Sequence, residues 1–333
     1  MATIHDVAAQ AGVSVATVSR VLNDNAAVNA EMAARVRAAI AELDYRPSHV
    51  ARSMRTQRTS IVAVVVPDVE NPFFTSVVRG IEDVARAAGL LAVLCNSDDQ
   101  PDAEMRYLRL VEDQRVDGVI LASAMSAAPE ELVRPGKALP PLVLIDREVA
   151  GIKADVVLVD NKQGAREATE HLLDGGARTL ACITGPEKVS TAEERLAGFL
   201  AAASDRGIPR RDITFRHADF RSAGARAALR DILTSTRPDA LLVCNNQMTL
   251  GALQELADGN VRIPHDLLLA GYDDEPWSGS WKPSITSVAQ PAREVGKAAM
   301  RLMLDRLEEP NRPTQRITMQ PSLVIRESSQ RAA

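Results

Sequence analysis

Long apolar runs are missing from this chain of 333 residues. Nowhere do ~18 apolar residues follow one another, so no membrane-spanning helix is expected. The start, Met1-Ala2-Thr3-Ile4-His5-Asp6, has no basic segment ahead of an apolar stretch, so no secretory signal is expected and the location is cytoplasmic. Aromatics make up only 3% of the residues, so the cores must be built from Ala, Val, Leu and Ile. Histidine and cysteine are equally sparse, at five and three residues, and they are not clustered, so neither a metal site nor a disulfide framework is expected. Cys95, Cys182 and Cys244 each close an apolar run, which reads as buried reduced thiols at strand ends. Also missing are a Gly-x-Gly-x-x-Gly after a strand, a Walker sequence and a Gly-x-Ser-x-Gly elbow. No catalytic residue and no cofactor is expected; the chain does not read as an enzyme.

What is present is ordinary globular material, 46% hydrophobic and 25% charged, enough for two or three domains. The net charge of −5 divides unevenly: residues 1–60 carry +2 and the rest −7. Between Tyr45 and Ser60 stand Arg46, Arg52, Arg55 and Arg58 with no acid among them. A basic end on an acidic body points to a polyanion partner at that end.

The basic end has a definite pattern. Thr3 and Asp6 form a capping-box start for a helix carrying Ile4, Val7, Ala8 and Ala11, and Gly12 ends it. Ser14 caps a second short helix, Val15 to Leu22, and Asn29 opens a third, Ala30 to Leu43. Two helices around a tight glycine turn, braced by a third, read as a helix-turn-helix. The second helix is small and hydroxylated with one arginine, a surface suited to the major groove.

The sequence here resembles the DNA-binding headpiece of the LacI/GalR repressor family. The resemblance rests on Ala2-Thr3-Ile4-His5-Asp6-Val7-Ala8, Ala11-Gly12-Val13-Ser14 and Thr17-Val18-Ser19-Arg20-Val21-Leu22-Asn23. It continues through Ile40 to Tyr45, then Arg46-Pro47-Ser48-His49-Val50-Ala51-Arg52-Ser53-Met54-Arg55, and on to Ile325-Arg326-Glu327-Ser328. It implies that Thr3, Ser14 and Thr17 position the module on phosphates, while Val15, Ala16 and Arg20 occupy base-reading positions. It also implies a hinge helix over Pro47 to Arg55. There Met54 stands where relatives usually have Leu, as a wedge for a minor-groove step, next to Arg55.

From Ile61 onward, strand-length apolar runs alternate with helical stretches. The runs are Ile61–Val66, Leu90–Leu94, Gly118–Leu121, Leu142–Ile145, Val156–Val159, Leu180–Thr184, Ala240–Cys244, Leu267–Gly271 and Ile285–Val288. Such runs separated by helices mean α/β lobes with parallel sheets, whose ligands bind beyond the carboxyl ends of the strands. The expected division is 1–46 for the headpiece, 47–60 for the hinge, 61–160 with 290–320 for a first lobe, and 161–289 with 321–333 for a second.

The polar residues after these strands are carboxylates, amides and rings, an inventory for binding sugar hydroxyls. The body resembles the periplasmic-binding-protein fold, and the strand-end set resembles that of ribose-binding proteins and ribose-type repressors. The resemblance implies ligand contacts at Asn71, Phe73, Phe74, Asp146, Arg147, Arg195, Asn245, Asp273 and Gln290, with Phe220 as the opposite ring. Purine-responsive relatives carry Arg where this chain has Val189, which disfavours a purine. The expected function is a repressor that binds double-stranded operator DNA as a homodimer and is released by a small sugar, with a ribose-like pentose favoured. The alternatives are the same regulator with a nucleoside or another sugar, or a sugar-binding protein or enzyme without a DNA role. His171, His217 and His265 have no partner that the sequence identifies.

Overall fold

The computed structural model describes residues 2–22, 28–45, 59–114, 116–130 and 140–331, and the chain divides into two compact units, Met1–Thr59 and Ser60–Ala333. The expected hinge helix, Pro47 to Arg55 with Met54, lies outside the described residues.

In the first unit, α1 (Ile4–Ala11) opens on a capping box. Thr3 Oγ1 accepts from Asp6 N, and the Asp6 carboxylate accepts from Thr3 N at 2.8 Å. Gly12 closes the helix at φ 65°, a left-handed conformation that costs glycine little. α2 (Val15–Leu22) starts on Ser14, whose Oγ accepts from Thr17 N, and α3 (Ala30–Glu42) starts on Asn29. Val7, Ala8, Ala11, Val18, Val21, Ala33, Val36 and Ala39 form the core; their small size lets three short helices approach closely.

The second unit holds two six-stranded sheets. Along the chain run β1 (Ile61–Val66), α4 (Pro72–Ala87), β2 (Leu91–Asn96), α5 (Pro101–Asp113), β3 (Gly118–Leu121), β4 (Leu142–Ile145) and β5 (Asp155–Val159). Next come α6 (Asn161–Asp174), β6 (Leu180–Thr184), α7 (Ser190–Asp205), β7 (Ile213–His217), α8 (Ser222–Ser235), β8 (Ala240–Val243) and α9 (Asn246–Asp258). The chain ends with β9 (Leu268–Tyr272), α10 (Pro276–Ser280), β10 (Thr286–Ala289), α11 (Ala292–Glu308), β11 (Arg316–Met319) and β12 (Ser322–Val324).

Strand order is β11-β5-β4-β3-β1-β2 in the first sheet and β12-β10-β9-β8-β6-β7 in the second. Every named pairing is parallel except β10 with β12, so one antiparallel edge departs from the all-parallel expectation. The chain crosses between the sheets after β5, after β10 and between β11 and β12. The central strands are buried along their length, as helices on both faces require. Two glycines let α4 and α11 meet backbone to backbone: a Cβ on Gly80 would lie 2.0 Å from Arg293 O, and one on Gly296 1.9 Å from Val77 O.

Several local expectations need correction. The helix expected over Thr75–Ala88 is α4 and begins earlier, at Pro72, because Asn71 caps it and proline is favoured in a first turn. Strands β7, β11 and β12 were not expected, since each is an edge strand with mixed polar and apolar residues. Cys182 sits mid-strand in β6, and Cys95 on the edge strand β2 is only half-buried. Cys182 and Cys244 are buried free thiols with Sγ atoms 3.6 Å apart. His171 and His217 do have partners: Ser329 Oγ at 2.7 Å and Gly185 O at 2.9 Å.

Candidate functional site

The carboxyl ends of both sheets border one cleft of about 350 Å³. All ten residues expected there line it. Asn71, Phe73, Phe74, Asp146 and Arg147 come from the first sheet; Arg195, Phe220, Asn245 and Asp273 come from the second; Gln290 lies on a crossing segment.

Backbone geometry aims several of them. Asp146, Phe220 and Asp273 hold φ angles of 63°, 61° and 66°. Side chains other than glycine rarely adopt this left-handed region, which costs about 1 kcal/mol or more each and collects at functional sites. Asn71 and Asn245 each turn their Oδ1 back to cap a helix, accepting from Phe73 N at 3.0 Å and Met248 N at 2.8 Å. Their amide nitrogens are the remaining donors. Phe73 and Phe74 meet edge to face, with centroids 5.1 Å apart.

Charge in the cleft is dense, with more carboxylates than arginines. Arg195 is buried, with Nε donating to Asn161 Oδ1 at 2.8 Å and Nη1 to Cys244 O at 2.7 Å. Its guanidinium lies 3.9 Å from the centre of the Tyr272 ring. Arg147 Nη1 donates to Asp99 Oδ1 at 2.8 Å and Ser123 O at 3.2 Å. Its Nε lies 3.4 Å from Asp146 Oδ2 but makes no hydrogen bond. Burial raises the Asp146 carboxyl above the usual carboxylate range, against the pull of Arg147 and Arg195. Gln290 Nε2 donates to Asp273 Oδ1 at 2.5 Å, which leaves Gln290 Oε1 buried and unpartnered.

Sequence reasoning missed Asp68, Asp98, Asp99, Gln100, Thr191, Asp219 and Arg221, which also line the cleft. Asp98 and Asp99 follow β2, which runs two residues beyond the apolar run that signalled it. Gly185 was missed as well. A Cβ there would lie 2.1 Å from Phe220 Cζ, so only glycine leaves room for that ring.

In the first unit, Thr3, Ser14, Ala16 and Arg20 are exposed and Val15 and Thr17 half-buried. The Thr3 hydroxyl donates to Asp6 at 2.8 Å, and those of Ser14 and Thr17 lie 3.0 Å apart. Among the described residues no helix is long and apolar enough to cross a membrane.

Comparison with known proteins places these features in a family. Residues 3–48 match the family described as bacterial regulatory proteins, lacI family, and residues 169–329 match a periplasmic binding protein-like domain. The chain is 37% identical to the ribose operon repressor of Halalkalibacterium halodurans, over 99% of this chain and 97% of that one. It is 34% identical to the HTH-type transcriptional repressor PurR of Aliivibrio fischeri, over 98% of each. Among solved structures, the lac repressor dimer bound to operator and the anti-inducer ONPF superposes with a TM-score of 0.87 at 26% identity, over 99% of both chains. A capped three-helix unit followed by two mostly parallel sheets between which the chain crosses, matched end to end by such relatives, makes this chain a member of the LacI family of bacterial regulatory proteins.

Proposed function

We propose that the protein is a cytoplasmic transcriptional repressor that binds a palindromic DNA operator as a homodimer and is released from it by a small polyol, with a ribose-like pentose favoured. The observation that carries the effector reading is the set of carboxylates, amides, arginines and aromatic rings that line the cleft. Arg147 Nε, a donor, and Gln290 Oε1, an acceptor, are buried without partners. The cap roles of Asn71 and Asn245 leave two more donors. A ligand that meets neighbouring donors and acceptors together carries hydroxyls, each able to do both. Phe73, Phe74 and Phe220 supply apolar faces for a sugar ring. A phosphorylated sugar fits less well, because Asp68, Asp98, Asp99, Asp146, Asp219 and Asp273 outnumber Arg147, Arg195 and Arg221 around the cleft.

The DNA side of the reading rests on α2. Exposed Ala16 and Arg20 are free to meet base edges, with Ser14 and Thr17 on the same turn for phosphates. Met54 and Arg55 remain the proposed minor-groove contacts. Dimerisation is supported by edge strand β2, which leaves Leu91, Val93 and Leu94 60%, 41% and 43% exposed, apolar side chains that a second copy would cover. Relatives support parts of this reading: one at 37% identity is a ribose operon repressor, and the superposed lac repressor structure is an operator-bound dimer.

A thermal-shift screen of pentoses, hexoses, nucleosides, purines and sugar phosphates tests the effector class. The expected result is a shift with a free pentose and none with its phosphate; a ligand at ~100 times its dissociation constant adds about 2.7 kcal/mol. A shift with a purine alone would replace the sugar by a corepressor.

A further inference from the structure

On one rim of the cleft the two sheets are tied together by protein groups alone. Asn246, the first residue of α9, is 2% exposed and does not line the cleft. Its Nδ2 donates across the rim to Asn71 Oδ1 at 3.0 Å and, on its own side, to Glu275 Oε1 at 3.0 Å. Its Oδ1 accepts from Gln247 N at 2.7 Å. Both amide hydrogens and the oxygen are therefore committed, and one of the three bonds exists only when the two walls meet. Beside it, Asp68 Oδ2 accepts from Arg221 Nη1 at 2.5 Å and from Gln247 Nε2 at 3.3 Å, again across the rim.

We infer that Asn246, seconded by the Asp68–Arg221 pair, is a latch that holds the cleft closed and so sets how firmly the effector is retained. This rests on the effector reading above for its consequence, though not for its geometry. Asn246 is a positioning residue. It acts through Asn71, whose Oδ1 also receives Phe73 N, so the latch pins the first turn of α4, with Phe73 and Phe74, against the opposite wall. Because every latch bond joins protein to protein, it favours closure whether or not the cleft is filled. An effector then works on an equilibrium already biased, and its apparent affinity scales with the closed fraction. One net hydrogen bond corresponds to roughly a fivefold change in that ratio, and the partly exposed Asp68–Arg221 pair adds less.

Hydrogen exchange of the full chain, read by mass spectrometry, tests the latch without any effector. Two variants are compared with wild type: Asn246→Ala, and Asn246→Asp, which keeps the volume but cannot donate to Asn71. The expected result is faster exchange at residues 73–75 on the opposite wall as well as at 245–249. Loss of protection confined to 245–249 in both variants would mean a local structural role and overturn the latch. D-ribose titration then reads the consequence: a dissociation constant raised by up to roughly fivefold. Equal ribose affinity in wild type and both variants overturns the latch. If wild type binds no polyol while the exchange at 73–75 still rises, the effector reading fails and the latch stands.

Discussion

Arg195 and Arg147 face one cleft from opposite walls and are held in different ways. Arg195 is fixed on three sides, by Asn161 Oδ1, Cys244 O and the face of Tyr272. Asn161 is itself tied to Val159 O and Glu194, so the anchor reaches the segment where the chain crosses between sheets. Arg147 rests on Asp99 and on Ser123 O, in a loop held from below by buried Glu104, which accepts from Ser123 Oγ at 2.6 Å and Ala124 N at 2.5 Å. Its Nε has no hydrogen bond, and its guanidinium stands 5.9 Å from the centre of the Phe220 ring on the other wall. The second wall is thus preorganised, whereas on the first Arg147 Nε has no protein partner. A site built this way spends little reorganisation on its rigid half and places the binding-dependent change in the other.

Breaking the rigid wall should have the largest effect. Arg195→Ala leaves Asn161 Oδ1 and Cys244 O without their donor and removes the cation between Asp146 and Asp273. It should abolish effector binding and lower stability by roughly 2–4 kcal/mol in chemical denaturation, because two buried acceptors lose their donor. Arg147→Ala should also lose most of the affinity, but with a smaller stability loss, because its hydrogen-bonded partner Asp99 is 31% exposed and can be rehydrated while buried Asp146 keeps Arg195 as a compensating charge. Equal stability losses for the two variants would erase the distinction.

A smaller effect sharpens it. Gly185→Ala places a Cβ 2.1 Å from Phe220 Cζ and must push the ring from its seat. Overpacking of this kind costs roughly 1–3 kcal/mol, so calorimetric titration should show effector affinity down about tenfold or more. Unchanged affinity would remove Phe220 from the site.

The smallest effect concerns pH. Burial raises the Asp146 carboxyl, so its ionised form opposes folding. A group with a raised folded value contributes stability that is present below its unfolded value of 3.8 and is lost as pH rises through the folded one. Asp146→Asn should therefore melt slightly higher than wild type at neutral pH, with the gap closing as pH falls toward 4, and should bind effector less well. A gap that widened on acidification would contradict the stated sign.

The legibility of these features in the sequence followed burial. Leu180–Thr184 and Gly118–Leu121 are central strands covered on both faces, and their unbroken apolar runs mark their ends correctly. Ile213–His217, Arg316–Met319 and Ser322–Val324 are sheet edges whose polar residues break the run, so no pattern announced them. The cleft residues were readable because a parallel sheet dictates where its ligands lie and because their types match a known family. Gly185 and Asn246 were not, since each matters through a partner far along the chain: Phe220 for the glycine, Asn71 for the amide. Asp98 and Asp99 stayed hidden because β2, an exposed edge, continues past its last leucine to Asn96.

The central claim joins a polyol cleft to release of DNA, and Asp273 separates the two, since it lines the cleft and bonds Gln290 yet lies in the unit that lacks the helix-turn-helix. The direct measurement is retardation of a DNA fragment selected by the protein from a random pool, titrated with D-ribose for wild type and Asp273→Ala. The account predicts equal binding without sugar, release of wild type as ribose is added, and retention by the variant at concentrations roughly a hundredfold higher. Release of both proteins at the same ribose concentration would contradict it, as would wild type that stays bound throughout.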